Sequence, residues 1–276
     1  FAVQTVRAAR EAGDAILEVY GSDFSVEHNE DRSPLTEADK RSHEIIAAHL
    51  DASLIPILSE EGRRIPYEDR RQWDRCWVVD PLDGTKEFVK RNGEFTVNIA
   101  LIERGWPILG TIFVPVTGLL YFAVKGTGSF RIADARGLRG MLSEDTTFED
   151  LSSRAEVLPA TTRSRAFTVV GSRSHMCPET EEYIDTLKAE HGEISVASRG
   201  SSLKLCMVAE GAADIYPRFA PTMEWDTAAG QAVVEQTGGK VLKINEIDPL
   251  EYNKEDLLNP WFVVKASHLL TGQEHG

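Results

Sequence analysis

The sequence predicts an α+β half built on an antiparallel sheet, followed by an α/β half. Three observations support this fold class: two amphipathic helices at the start, a run of hairpin-linked strands from Phe95 to Arg131, and strands that alternate with helices thereafter. A chain of 276 residues is long enough for one large domain or two ordinary ones. We predict that the first half covers residues 1–150 and the second half residues 151–276.

The two helices come first. Apolar positions from Val3 to Tyr20 recur at helical spacing, and Gly21 is a candidate C-cap. The stretch "SPLTEADKRSHEIIAAHL" predicts a second helix, with Thr36 and Asp39 matching the spacing of a capping box. A short apolar strand, "LIPILS", then leads into Glu60 and Glu61.

The antiparallel part is predicted from the segments "FTVNIALIE", "GTIFVPV" and "GLLYFAV", which short turns separate. A polar stretch from Arg136 to Arg163 has few helix or strand signals and is the candidate connection between the halves. Beyond it we predict strands at "AFTVVGS", "EISVAS", "ADIYPR" and "KVLKI". Helices are predicted between them at "PETEEYIDTLKAEHG", "SSLKLCMVAEG" and "WDTAAGQAVVEQTGG".

The overall composition is that of a globular protein and argues against some partners. Asp and Glu number 44 against 30 Lys and Arg, a net charge of −14 that disfavours nucleic-acid polymers and anionic lipid surfaces. No apolar run approaches the ~20 residues that span a bilayer, so we expect no integral membrane segment. The first residues lack the features of a signal peptide, and the three cysteines lack ligand-like spacing. We therefore expect a cytoplasmic protein, and association with the surface of the inner membrane stays open.

Acidic residues follow strands at positions where catalytic groups often lie. Glu60 follows "IPILS", Asp80 follows "WVV", Asp83 comes three residues later, and Asp226 lies at the predicted start of a helix. Mg²⁺ prefers oxygen ligands, and two-metal sites hold their ions about 3.5–4 Å apart. Each acidic feature also has a structural interpretation, as a turn, a helix cap or a solvated loop. The cluster D-x-x-D-G-T is more specific, because Gly84 permits close backbone approach to a phosphate.

Taken together, these segments resemble a known family. "SEEG", "WVVDPLDGTKEF" and "EWDTAAGQAVVEQTGG" resemble the signature segments of the inositol monophosphatase superfamily, whose members are Mg²⁺-dependent, lithium-sensitive phosphomonoesterases. The likeness runs from "SPLTEAD" to "LLNP". Within the superfamily, "GSRSH", "GSSLKLCMVAEGAADIYPR" and "PLEYNKEDLLNP" resemble the bacterial 3'(2'),5'-bisphosphate nucleotidases of the CysQ type. The resemblance implies a layered α-β-α-β-α sandwich with the site between the halves.

The resemblance also implies roles for individual residues. It implies metal ligation by Glu60, Asp80, Asp83, Asp226 and the Leu82 carbonyl. Glu60 and Thr85 would activate the attacking water, with Asp39 holding the Thr85 hydroxyl. The implied substrate contacts are Glu60, Leu82, Asp83, Gly84, Thr85, Ser172, His175, Gly200, Lys204 and Asp226. For His175, a structural role in its loop is an equal alternative.

The implied activity is removal of the 3'-phosphate of adenosine 3',5'-bisphosphate, or of 3'-phosphoadenylyl sulfate, to give AMP or adenylyl sulfate. The implied cofactor is Mg²⁺, as two or three ions, with inhibition by Li⁺. An inositol monophosphatase or another sugar phosphatase of the superfamily is the alternative within the enzyme class. A metal- or nucleotide-binding regulatory module that has lost catalysis is the non-enzyme alternative. The sequence predicts a small phosphorylated nucleotide as partner and leaves the oligomeric state open.

Overall fold

The computed structural model describes residues 1–22, 34–143, 145–160, 165–172, 177–244 and 247–270, and of residues 34, 35 and 172 the main chain alone. The helices of these ranges are α1 (Ala2–Tyr20), α2 (Pro34–Asp51), α3 (Tyr67–Arg70), α4 (Thr85–Val89), α5 (Phe148–Ser152), α6 (Pro178–His191), α7 (Leu203–Glu210) and α8 (Glu224–Glu235). Single turns of 3₁₀ helix lie at Ala135–Leu138 and Ser267–Leu269.

The strands form two sheets. The first contains β1 (Ile57–Ser59), β2 (Arg75–Asp83), β3 (Thr96–Glu103), β4 (Trp106–Phe113), β5 (Leu120–Val124), β6 (Gly128–Ile132) and β7 (Glu156–Val157) in that spatial order. The second contains β8 (Phe167–Ser172), β9 (Ile194–Arg199), β10 (Ile215–Arg218), β11 (Lys240–Lys243) and β12 (Phe262–Lys265), in the spatial order β11-β12-β10-β8-β9.

The first sheet is antiparallel except for the parallel pair β1 and β2. Its strands β3 to β6 follow one another along the chain and in space, so the predicted meander is confirmed. The second sheet is mixed: β8, β9 and β10 are parallel, whereas β12 runs antiparallel to both β10 and β11. Parallel pairing needs crossovers, and α6 and α7 supply them.

The elements stack in five layers, and the predicted α-β-α-β-α sandwich is confirmed. Helices α1 and α2 bury their apolar faces on one side of the first sheet, in a core that includes Ile16 and Phe113. Helices α7 and α8 lie between the sheets, where Val233 packs in one core with Ile112 of the first sheet and Val264 of the second. Helix α6 covers the outer face of the second sheet.

Close packing of α8 on the first sheet fixes the position of Asp226. Gly110 of β4 faces this helix, and a Cβ atom at Gly110 would lie 2.4 Å from the carbonyl oxygen of Ala229. Any side chain at position 110 would therefore push α8 away from the sheet. The helix that carries Asp226 is in this way held against the sheet that carries Asp80 and Asp83.

Several local predictions differ from the structure. Helix α2 already includes Pro34, so Thr36 and Asp39 lie inside the helix and the predicted capping box at its start is wrong. Gly21 follows α1 as predicted, but its φ of −79° is right-handed. The stretch from Arg136 to Arg163 has more structure than predicted, because it includes α5 and β7. Strand β7 pairs with β6, so the first sheet extends to Val157.

No helix in the described ranges is long and apolar enough to cross a membrane. All three cysteines are free thiols, with Cys76 and Cys206 buried and Cys177 partly buried.

Candidate active site

A β-bulge at the end of β2 brings Asp80 and Asp83 together. Asp80 pairs with Asn98 and Asp83 with Thr96, so three steps along β2 oppose two steps along β3. Residues three apart on a regular strand point to opposite faces. The one extra residue of the bulge compensates for this alternation and turns both side chains toward the same place.

Asp226 completes a cluster of three carboxylates. One oxygen from each of Asp80, Asp83 and Asp226 lies within 4.8 Å of the others. Asp226 is in the first turn of α8, where its Oδ2 accepts a hydrogen bond of 2.8 Å from the main-chain N–H of Met223. Asp226 can therefore support the start of the helix through Oδ2 and also ligate a metal ion through Oδ1.

Glu60 lies at the edge of this cluster. The parallel register sets Ser59 beside Val79, so Glu60 follows on next to Asp80. Its main-chain N–H donates to the carbonyl oxygen of Val79 at 3.2 Å. The side chain is exposed and lines a second cavity with Arg63 and Trp225, separate from the cavity that borders Asp83 and Asp226.

Burial and repulsion between neighbouring carboxylates raise the pKa values of Asp80, Asp226 and Glu60. Burial raises the pKa of Asp80 well above its usual range, and the charges of Asp83, Glu60 and Asp226 add to the effect. Burial and then repulsion from Asp83 raise the pKa of Asp226 to about 7. Although Glu60 is exposed as a residue, its carboxyl group is partly desolvated beside the cluster, and this desolvation and then repulsion from Asp83 raise its pKa, whereas a hydrogen bond with Asp80 lowers it. Buried carboxylates this close need protons or a cation, and their hard oxygen donors fit a divalent ion such as Mg²⁺.

Leu82 lies between the two aspartates of β2. Its main-chain N–H donates to Asp80 Oδ1 at 3.0 Å, and its side chain is fully buried in the core under α1 and α2. These two contacts fix the main chain at Leu82, whose carbonyl oxygen is the predicted metal ligand.

Asp83 is held by residues from the second half of the chain. Ser201 Oγ, Ser202 N and Ser202 Oγ lie 2.5, 2.8 and 3.0 Å from Asp83 Oδ2. Thr96 Oγ1 and Asn98 Nδ2, from the neighbouring strand, lie 3.5 Å from the same oxygen. Sequence reasoning did not identify these four residues, because serine, threonine and asparagine are common at ordinary turns and strands.

Gly84 starts a short helix beside the cluster. It adopts a left-handed conformation with φ of 96° and ψ of 47°, directly before Thr85 at the start of α4. A Cβ atom there would lie 3.3 Å from main-chain atoms of Glu94 and Phe95 and from the Ser201 side chain. Both the backbone conformation and the lack of space require glycine at this position.

Thr85 and Asp39 lie in different surroundings. Thr85 is exposed, whereas Asp39 is buried in α2, where burial, and then repulsion from Glu61 and Glu60, raise its pKa to about 8. The expected hydrogen bond between the Asp39 carboxyl and the Thr85 hydroxyl is not among those that the described residues form.

A cavity lies between the carboxylate cluster and the second sheet. Its wall includes Asp83, Gly84, Lys86, Gly200, Ser201, Lys204, Tyr216, Arg218 and Asp226. The Gly200 N–H donates to Glu94 Oε2 at 2.8 Å, and a Cβ at Gly200 would lie 2.6 Å from Glu87 Cγ. Burial lowers the pKa of the Lys204 ammonium to about 8. The predicted residues Gly200 and Lys204 thus border the same cavity as Asp83 and Asp226.

Arg218 adds a further cation to this cavity, beside Lys86 and Lys204, and was not identified from the sequence. Its Nη2 donates to the carbonyl oxygen of Pro221 at 3.1 Å. Its Nε is buried and has no hydrogen-bond partner within the described part of the chain. The dipeptide Pro217-Arg218 ends strand β10, and a charged residue at the end of a buried strand was the available signal.

Two predicted contacts, Ser172 and His175, fall outside the side chains that the structure describes. Ser172 ends β8, where it pairs with Arg199 of β9, and its side chain is outside the described set. His175 lies outside the described residues altogether.

The chain is similar in sequence to known proteins over nearly its whole length. The sequence model of the inositol monophosphatase family matches residues 1–273 of the chain. The protein "3'(2'),5'-bisphosphate nucleotidase CysQ" of Shigella flexneri is 44% identical over 266 residues, which cover 95% of this chain and 98% of the relative. The protein of the same name from Escherichia coli K12 is 43% identical, with the same coverage.

Comparison with solved structures gives the same result. The crystal structure of CysQ from Bacteroides thetaiotaomicron, described as a bacterial member of the inositol monophosphatase family, superposes with a TM-score of 0.91. The two sequences are 51% identical, and the match covers 96% of this chain and 97% of the other. Inositol monophosphatase II from Staphylococcus aureus, at 19% identity and a TM-score of 0.71, shares the fold over 98% of this chain and 91% of its own.

Proposed function

The chain belongs to the inositol monophosphatase family, and from this premise we propose that it is a metal-dependent 3'(2'),5'-bisphosphate nucleotidase. It hydrolyses the 3'-phosphate ester of adenosine 3',5'-bisphosphate to give AMP and inorganic phosphate. 3'-Phosphoadenylyl sulfate is converted to adenylyl sulfate in the same way. The observation that carries the proposal is a carboxylate cluster that opens into a cavity with Lys204 and Arg218 in its wall. Relatives with this activity in their name match nearly the whole chain.

The charges in the cavity suit a ligand with two phosphates. One phosphate lies at the carboxylate cluster, where it needs a bound cation to offset the negative charge of Asp83 and Asp226. The other lies near Lys204 and Arg218, whose side chains supply positive charge and N–H donors for its oxygens. A single cavity that combines a carboxylate-held cation with the cationic side chains of Lys204 and Arg218 therefore favours a bisphosphate over a monophosphate.

The proposed metal ligands are the carboxylates of Asp80, Asp83, Asp226 and Glu60, with the Leu82 carbonyl oxygen. We propose Mg²⁺ as the cofactor, in two or three ions, with inhibition by Li⁺. Bound Mg²⁺ supplies positive charge at the phosphoryl oxygens and lowers the pKa of a bound water.

The residues of the chain then have the following roles. Glu60, exposed at the edge of the cluster, accepts a proton from the attacking water, and the Thr85 hydroxyl orients that water. The main-chain N–H groups of Gly84 and Thr85, at the start of α4, donate to the phosphoryl oxygens. As the new P–O bond forms, the bond to the ribose 3'-oxygen breaks, and that oxygen takes up a proton. We retain Asp39 as the partner of the Thr85 hydroxyl in the substrate complex.

The cationic side chains of Lys204 and Arg218 in the cavity wall favour a bisphosphate nucleotide over an inositol phosphate. Inositol 1-phosphate carries one phosphate, so it would leave Lys204 and Arg218 without an anionic partner. A buried polar group that a ligand leaves unpaired lowers the affinity for that ligand strongly.

An assay of phosphate release across three substrates tests the proposal. Adenosine 3',5'-bisphosphate, inositol 1-phosphate and fructose 1,6-bisphosphate are each compared with Mg²⁺, with a chelator, and with Mg²⁺ plus Li⁺. We expect the highest kcat/KM for adenosine 3',5'-bisphosphate and no release with the chelator. Preference for inositol 1-phosphate would favour the sugar-phosphatase alternative. Calorimetric binding of the nucleotide without phosphate release over hours would favour a regulatory module.

A further inference from the structure

Ser202 contacts two of the proposed metal ligands, which come from distant parts of the chain. Its main-chain N–H and its hydroxyl lie 2.8 and 3.0 Å from Asp83 Oδ2. The same hydroxyl lies 2.9 Å from the main-chain carbonyl oxygen of Asp226. Ser202 itself is 2% exposed, so water does not compete for these contacts. One buried serine thus joins the end of β2 to the start of α8.

The hydrogen bonds around Ser202 have a defined direction. Asn98 Nδ2 donates to Ser202 Oγ at 3.0 Å, so this hydroxyl accepts from the first sheet. Its single proton is then shared between Asp83 Oδ2 and the Asp226 carbonyl oxygen. Because the Ser202 hydroxyl accepts from Asn98 of β3 and donates to Asp83 and Asp226, it links the position of β3 to the positions of both ligand residues.

The same contacts leave only one oxygen of Asp83 for a cation. Oδ2 accepts from Ser202 N and Ser202 Oγ, and also from Ser201 Oγ at 2.5 Å. Each carboxylate oxygen has about two lone-pair directions, so three close donors occupy Oδ2 fully. Oδ1 is then the atom that Asp83 presents to the cluster.

The Ser202 hydroxyl is not needed to cap its own helix. Ser202 is the N-cap residue of α7, but its side chain makes no capping hydrogen bond. Removing the hydroxyl therefore does not remove a helix cap, whose loss alone would destabilise the fold. The contacts of this hydroxyl are all directed toward Asn98 and the two ligand residues.

We propose that Ser202 is a positioning residue for the metal centre, which sets the orientation of Asp83 and ties it to the main chain at Asp226. The inference rests on the proposed function, since that function assigns Asp83 and Asp226 to the metal. It goes further by giving the N-cap residue of α7 a part in metal affinity, although neither this residue nor α7 supplies a ligand. Gly200, Ser201 and Lys204, which are neighbours of Ser202 in the chain, line the cavity wall. Residues 200–204 therefore support both the metal centre and the substrate cavity.

The test uses Ser202→Ala, Ser202→Thr, and Ser129→Ala as a matched control. Ser129 is likewise buried, and its hydroxyl has no hydrogen-bond partner in the part of the chain described. The readout is the Mg²⁺ dependence of the thermal unfolding midpoint without substrate, which gives an apparent Kd for Mg²⁺. Loss of a hydrogen bond to a charged group predicts an apparent Kd about tenfold higher in Ser202→Ala. Ser202→Thr, which keeps the hydroxyl, and Ser129→Ala should stay within about twofold of the wild type.

An activity measurement separates positioning from general damage. In Ser202→Ala the Mg²⁺ concentration for half-maximal phosphate release should rise by a similar factor, while the rate at saturating Mg²⁺ stays within about threefold. An unchanged Mg²⁺ Kd in Ser202→Ala, with Mg²⁺ stabilisation abolished in Asp83→Asn, would overturn the role of Ser202 and leave the proposed function intact. A wild type that Mg²⁺ does not stabilise would overturn this inference and the metal assignment together. Equal weakening in Ser129→Ala would also contradict the inference.

Discussion

The ammonium group of Lys204 lies 2.6 Å from the main-chain carbonyl oxygen of Ser201. Ser201 has a positive φ of 55°, an uncommon conformation for serine, and Lys204 is 6% exposed. A second carbonyl oxygen, that of Arg199, lies 3.4 Å from the same nitrogen. An ammonium group has three protons, so one stays available to a ligand in the cavity. Lys204 therefore supports the loop that holds Asp83, and it also supplies positive charge to the cavity wall.

We predict that nucleotide binding weakens as the pH rises through the pKa of Lys204, which burial lowers to about 8. Below that pH the side chain is charged and attracts an anion, and above it the side chain is neutral. The 5'-phosphate of AMP, with a second pKa near about 6, is already mostly doubly ionised at pH 7, and its remaining ionisation would strengthen binding rather than weaken it. Calorimetry with AMP at pH 7 and pH 9 should show several-fold weaker binding at the higher pH.

The variant Lys204→Met should bind AMP more weakly and without this pH dependence. Lys188→Met is the matched control, because Lys188 is exposed and pairs only with Asp185 on the surface. The same pH dependence in Lys204→Met as in the wild type would show that another group is responsible.

Arg218→Met should raise the KM for adenosine 3',5'-bisphosphate by about tenfold or more, because a guanidinium–phosphate pair is a strong, charge-assisted contact. Since Arg218 is neither a proposed metal ligand nor a group that activates the attacking water, kcat should stay within about threefold. Steady-state kinetics of the variant and of the control Arg104→Met, at an exposed position, check this. An unchanged KM in Arg218→Met would remove Arg218 from the substrate site.

The prediction from sequence was most successful where the signal is local. Asp80, Asp83, Gly84 and Asp226 lie in compact motifs, and the structure brings all four to one place. The bulge that aligns Asp80 with Asp83 is not visible in the sequence, because it depends on the register with β3.

Contacts between distant residues could not be predicted. Ser201 and Ser202 meet Asp83 across more than a hundred residues, and their residue types carry no signal. Strand β12 was not predicted, although its pairing with β10 and β11 holds the second sheet together. The strand has only four residues, "FVVK", which are too few for an alternation of apolar and polar residues to be recognised. The interpretation of Thr36 and Asp39 as a capping box was wrong because α2 begins earlier, at Pro34.

Mg²⁺ affinity should increase with pH between about 6 and 8. Burial and repulsion from Asp83 raise the pKa of Asp226 to about 7 in the metal-free protein. A protonated carboxyl group cannot ligate the ion, so Mg²⁺ must displace a proton below this pH and need not do so above it. Calorimetric titration with Mg²⁺, in two buffers of different ionisation enthalpy, measures both the affinity and the proton release. An affinity and a proton count that do not change between pH 6 and 8 would contradict this prediction.

Asp83→Asn should abolish Mg²⁺-dependent phosphate release and make the metal-free protein more stable. Asp83 repels Asp80, Asp226 and Glu60, so removing its charge relieves a destabilising interaction in the absence of metal. We expect the free energy of unfolding in urea to rise by about 1 kcal/mol. Asp51→Asn, at an exposed position at the end of α2, should change neither quantity. A folded Asp83→Asn protein with normal turnover would refute the metal assignment.

The identity of the phosphate that is removed tests the central claim most directly. Phosphorus-31 spectra of adenosine 3',5'-bisphosphate, incubated with the protein and Mg²⁺, distinguish the two ester phosphates from inorganic phosphate. We predict that the 3'-phosphate signal disappears as inorganic phosphate appears, that the 5'-phosphate signal of AMP persists, and that a chelator stops the reaction. Adenosine 3'-phosphate as the product, or release that the chelator does not affect, would contradict a metal-dependent 3'-nucleotidase.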